Sequence, residues 1–63
     1  MARALTEMII VDQYGNNKRV DLTNGPTVIP RIGEAVNWKY DPAPRVVNVQ
    51  YNYDDGEVYV ALG

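Results

Sequence analysis

The sequence predicts an all-β fold, a small antiparallel five-stranded meander curled into a barrel or half-barrel. Three observations predict it. Nine valines, four isoleucines and five tyrosines supply β-formers, and five glycines with four prolines cut them into short runs. Apolar and polar residues alternate in several of those runs, most clearly between Val46 and Leu62. No long window places apolar residues at i, i+3, i+4 and i+7 without a Gly or Pro interrupting it.

Each element has its own justification. Thr6 to Val11 holds Met8, Ile9, Ile10 and Val11 in succession, which predicts a strand covered on both faces, or covered on one by a second chain. That run has more apolar faces than one small sheet offers, so Met8, Ile9, Ile10 and Val11 are the expected self-association residues. Residues 12–17 supply turn chemistry, with Gly15, Asn16 and Asn17 able to take positive φ, and Lys18 to Thr23 resumes with Val20 and Leu22. Asn24-Gly25-Pro26 marks a second turn. Pro30 cannot donate to a ladder, so an extra strand at 27–29 is expected to be short or at an edge. Gly33 bends the chain before Val36, Trp38 and Tyr40, which alternate with Asn37 and Lys39 as a strand, and Asp41-Pro42-Ala43-Pro44 ends it. Val47, Val49, Tyr51 and Tyr53 are expected on one face of the next strand, with Val46, Asn48, Gln50 and Asn52 on the other. Asp54-Asp55-Gly56 turns the chain, and Val58, Val60 and Leu62 return on alternate positions. Curling such a sheet hides its edges, whose open amide rows otherwise invite pairing.

Length and composition restrict function more sharply than fold. Sixty-three residues make one domain, 1–63, with 1–5 expected to be flexible. Below about 70–80 residues a single core rarely contributes more than ~3–5 kcal/mol, and disulfides, a structural metal or association usually reinforce it. The chain has no Cys and no His, so the first is excluded and the soft ligands of a zinc site are missing. Ser is absent too. Without Ser, Cys and His there is no triad-type nucleophile, and the hydroxyls of Thr6, Thr23, Thr27 and the tyrosines have no imidazole to activate them. No enzyme, cofactor, catalytic residue or metal site is expected. No apolar segment reaches the ~18 residues of a membrane span, the short apolar run ending at Asp12 fails as a signal peptide, and a cytoplasmic location is the expectation.

One resemblance can be named. Pro30-Arg31-Ile32-Gly33-Glu34-Ala35-Val36, Arg45-Val46-Val47-Asn48-Val49 and Val58-Tyr59-Val60-Ala61-Leu62 together resemble small SH3-like barrels of the KOW type. Those modules enter a strand through Gly-acidic-x-Val and close with two β-rich strands. The resemblance covers residues 28–62, is a pattern of small, β-branched and turn residues, and implies a small SH3-like barrel. The chain departs from nucleic-acid-binding KOW modules in its acidic balance. In size and style it is also similar to small proteins of phages and other mobile elements, which implies an inhibitor or adaptor acting in a host cytoplasm.

The candidate binding residues follow from exposure and charge. Tyr59 is out of phase with Val58, Val60 and Leu62 and is expected outward beside Glu57, whereas Trp38, Tyr51 and Tyr53 are expected in the core or at its rim. Asp54, Asp55 and Glu57 form an acidic turn that could steer the chain to a basic surface or simply keep it soluble; the spacing is wrong for a Ca²⁺ loop. Residues 1–34 are balanced in charge, and 35–63 carry all of the net -2. Lys18, Arg19 and Arg31 are the candidate cationic patch, but a pI near 4.7 argues against nucleic acid. The expected function is a binding module that occupies the surface of a protein partner. Self-assembly into a homo-oligomer is the alternative, and nucleotide or single-stranded nucleic-acid binding by the barrel is a third.

Overall fold

A computed structural model describes residues 4–23 and 28–63. The first three residues, the Asn24-Gly25-Pro26 turn and Thr27 lie outside the described residues, and with them part of the expected flexible start and of the 27–29 strand. The described residues form four strands and no helix: β1 (Glu7–Val11), β2 (Asn17–Asp21), β3 (Val46–Asn52) and β4 (Glu57–Leu62). The all-β expectation holds, and four of the five expected strands form within one or two residues of their expected limits.

The topology differs from a meander. The sheet order is β2-β1-β4-β3, with both hairpins antiparallel and β1 parallel to β4 in the centre. The sheet stays open, ending at β2 and β3 instead of closing. A parallel pair needs a crossover of a dozen or more residues; here it runs through β2 and β3, and its described part between them is residues 22–23 and 28–45. The expected strand at Val36–Tyr40 does not form. Pro42 and Pro44 lack donors, and pairing there shrinks to one Ala35–Arg45 bridge and a bond from Val36 N–H to the Pro44 carbonyl at 2.9 Å. The alternation itself survives, since Val36, Trp38 and Tyr40 are half-buried while Asn37 and Lys39 are exposed. It describes a segment lying across the sheet, not a rung within it.

The core lies between the sheet and that crossover. Met8, Ile10, Val46, Val58, Val60 and Leu62 are buried, and Leu5, Val20, Leu22, Ile29, Val36, Trp38 and Val49 pack against them. Val58 and Val60 are fully buried, each burial contributing about 1.5–3 kcal/mol before entropy is counted. Gly33, at φ 93°, makes the expected bend and lets its N–H donate to the Val46 carbonyl at 2.8 Å.

The first apolar run is consumed within the chain. β1 pairs on both sides, so Met8 and Ile10 face the core while Ile9 points to the opposite face. Ile9 is nonetheless only 7% exposed. Its register partners are Arg19 on β2 and Tyr59 on β4, and each reaches to a glutamate, Arg19 to Glu7 and Tyr59 to Glu57. Two long side chains held this way cover the isoleucine between them. Of the residues expected to self-associate, Met8, Ile9 and Ile10 are buried and Val11 is part-buried, and β1 has no free strand edge.

Candidate functional site

The β3–β4 hairpin presents three exposed tyrosines, Tyr51, Tyr53 and Tyr59. A register shift between Val46 and Asn48 leaves Val47 as the extra residue of a bulge. The bulge reverses the phase of the strand. Val46 opposes Leu62, and beyond the bulge Val49 opposes Val60 and Tyr51 opposes Val58, so these three share the core face. Val47 is thrown outward at 56% exposure. The expected grouping of Val47 with Val49 and Tyr51, and of Val46 with Asn48, fails at this one residue.

Tyr51 and Tyr53 lie at the rim, one of the two places expected for them. They sit at the sheet edge, about half exposed, and their rings stack at 5.8 Å between centroids with planes 8° apart. Gln50, Tyr51, Asn52, Tyr53, Asp54 and Tyr59 line an open depression around the strand. Trp38, by contrast, packs against the core as expected.

The acidic turn is ordered by local bonds. Gly56, at φ 70°, permits the tight reversal, and its carbonyl accepts from Thr6 N–H at 2.8 Å, tying the turn to the start of β1. Asn52 Nδ2 donates to Asp55 Oδ2 at 2.9 Å, while Asp54 is exposed at the tip. Tyr59 is outward as expected, and its hydroxyl donates to Glu57 Oε1 at 2.9 Å. That hydrogen bond, then burial and the charges of Glu57 and Asp55, push the Tyr59 hydroxyl above the ordinary tyrosine range. It stays a neutral donor.

The expected cationic residues do not converge. Lys18 and Arg19 point to opposite faces of β2, Lys18 beside Ile10 and Trp38 and Arg19 onto Glu7. Arg31 lies near Val49 and Tyr51 of β3, at the other edge of the sheet. Among the described residues no three carboxylates gather in a way that could hold a metal ion.

A second polar centre sits at the opposite end, where the sequence showed only a turn residue. Asp12 accepts from Tyr14 N–H at 2.9 Å, Asn16 N–H at 2.8 Å, Asn16 Nδ2 at 2.8 Å and Trp38 Nε1 at 2.8 Å. Burial alone would raise its pKa, but the hydrogen bonds from Asn16, Trp38 and Tyr14 outweigh it and hold the carboxyl down at about 2. Such a carboxylate is a fixed acceptor and a poor proton shuttle. The Tyr40 hydroxyl, packed edge-to-face on Tyr14, is buried without a hydrogen-bond partner among the described residues. Its pKa is raised by burial, then by the negative charge of Asp12. Both groups keep one protonation state near neutrality, and the centre serves to tie the crossover to the β1–β2 loop. No family model, curated protein or solved structure matches the chain.

Proposed function

We propose that the chain is a non-enzymatic protein-binding module that works by occupying a partner's surface with the edge of its β3–β4 hairpin. One observation carries the reading. β3 is a seven-residue strand at the sheet edge without a single charged residue, and its exposed Tyr51 stacks on Tyr53 just beyond its end. Edge strands are ordinarily defended by charge, proline or brevity, because an open row of amides and carbonyls is a template for another strand. Main-chain pairing supplies affinity in such strand addition, and side-chain pockets supply specificity. Rigid tyrosines add contact area at low entropic cost, and the acidic turn at Asp54 and Asp55 favours a segment with a basic end. In its concrete form the partner is a larger protein of a host cell, obstructed sterically.

The test is retention on immobilised protein from host lysate at low salt, comparing the wild type with Tyr51→Ala/Tyr53→Ala. The wild type is expected to retain a protein in near-stoichiometric amount. The double variant should bind it more than tenfold more weakly with an unchanged circular dichroism spectrum. Equal retention by both, or none by either, would sink the reading.

A further inference from the structure

We infer that the outer edge of β3 pairs antiparallel with the same edge of a second copy of this chain, about a two-fold axis through Gln50, giving one continuous eight-stranded sheet. The inference rests on the reading of β3 as a working edge and assigns that edge an occupant.

The two edges of the sheet are unlike. β2 carries Lys18, Arg19 and Asp21 within five residues, which discourages pairing; β3 carries no charge at all. The backbone defines which part of β3 is open. Arg45 and Gly63 exchange both main-chain hydrogen bonds, at 3.2 and 2.9 Å. Alternation along the antiparallel ladder then makes Asn48–Ala61, Gln50–Tyr59 and Asn52–Glu57 the bonded pairs. The N–H and C=O groups of Val49 and Tyr51 are left pointing away from β4, and no described residue bonds to them on that side. Toward the start of the strand the open stretch ends at Val46, whose N–H and C=O are taken by the Glu34 carbonyl and the Gly33 N–H at 2.9 and 2.8 Å. Toward its end the chain turns away after Asn52.

That stretch is self-complementary. With Gln50 on the axis, Val49 bonds the second copy's Tyr51, and Tyr51 bonds the second copy's Val49. Each contact sets a β-branched side chain against an aromatic one, a favourable cross-strand pair. The exposed Gln50 meets its own counterpart as a non-bonded pair, where side chains approach most closely. The second copy's strand turns away where Gly33 and Glu34 would obstruct it. An outside partner has to supply all of these matches; a second copy has them already.

The axis residue gives a direct test by sedimentation. The wild type is expected to be a dimer at high micromolar concentration. Gln50→Lys and Gln50→Glu each set like charges face to face across the axis and should weaken self-association at least tenfold, with unchanged circular dichroism. An equimolar mixture of the two variants is expected to regain the dimer. A wild type that stays at 7.1 kDa overturns the inference, as does a dimer indifferent to both substitutions. The chain has no native thiol, so Gln50→Cys should oxidise to a covalent dimer faster than the exposed loop variant Gln13→Cys; equal rates count against the axis. Lysate retention is scored apart from these measurements. A retained partner beside a monomeric wild type removes only the self-pairing, and a dimer that retains nothing removes only the outside partner.

Discussion

Asp12 links two separate pieces of chain through one side chain: its own loop, through the donors of Tyr14 and Asn16, and the indole of Trp38, 26 residues further on. Its folded pKa of about 2 lies below the ordinary 3.8, so the sign of its linkage to stability is fixed. The ionised form stabilises the fold fully above about pH 4, and the contribution is lost as pH falls from there toward 2. Trp38 fluorescence should report this loosening at the site itself, through loss of its hydrogen bond. Asp12→Ala is expected to lower Tm at neutral pH by on the order of 5–10 °C and to remove the Trp38 response between pH 4 and 2. A variant that keeps that response would assign it to another carboxylate. In the sequence Asp12 was legible only as a turn former, because local pattern cannot show which distant indole will donate to it. Tyr59 was legible, since strand phase alone sends it outward beside Glu57.

At the scale of the element, β3 shows where pattern reading works and where one residue defeats it. The strand and its turn were readable from alternation and from Asp54-Asp55-Gly56, but the phase was not. The run Val46-Val47-Asn48-Val49 offers apolar residues in both phases, and the bulge lets Val46 and Val49 occupy one face. Only the partner strand, with Leu62 and Val60 placed two apart, decides between the phases. Deletions can test this. Removing Val47 leaves Val46 opposite Leu62 and Asn48 opposite Ala61, so the core pairs survive and Tm should stay within a few degrees of the wild type. Removing Gln50 instead takes up the slack of the bulge in the wrong place, turning Val49 outward and Asn48 into the core. That exchange combines lost apolar burial with a polar group lacking a partner, and should cost at least about 2 kcal/mol. Equal tolerance of the two deletions would mean that the bulge does not set the register.

The order β2-β1-β4-β3 makes the whole molecule depend on a pair of strands from opposite ends of the chain. Sequence neighbours favoured a meander, and nothing local announces that β1 will lie beside β4. One trace of it was present. A central strand with a parallel neighbour tends to read as a continuous apolar run, as Met8-Ile9-Ile10-Val11 does. Of the two meanings that run allowed, cover on both faces is the one realised, with Ile9 sheltered by Arg19 and Tyr59. The topology also has an energetic consequence. An isolated hairpin is marginal in water, and here each hairpin becomes stable only through the β1–β4 seam that joins it to the other. Val60 stands at that seam, fully buried, with Ile10 on one side and Val49 on the other. Val60→Ala should cost about 2–3 kcal/mol, most of what a core this size can supply, and lower Tm by about 10–20 °C. Because the seam is shared, far-ultraviolet circular dichroism and Trp38 fluorescence should melt together in both proteins, although Trp38 lies on the crossover and not in a strand. Hydrogen exchange should be slowest in β1 and β4, faster in β2, and concentration-dependent at Val49 and Tyr51 if copies pair there. Separate melting of the two signals, or a fragment of residues 46–63 that folds alone, would show two independent hairpins in place of one cooperative sheet.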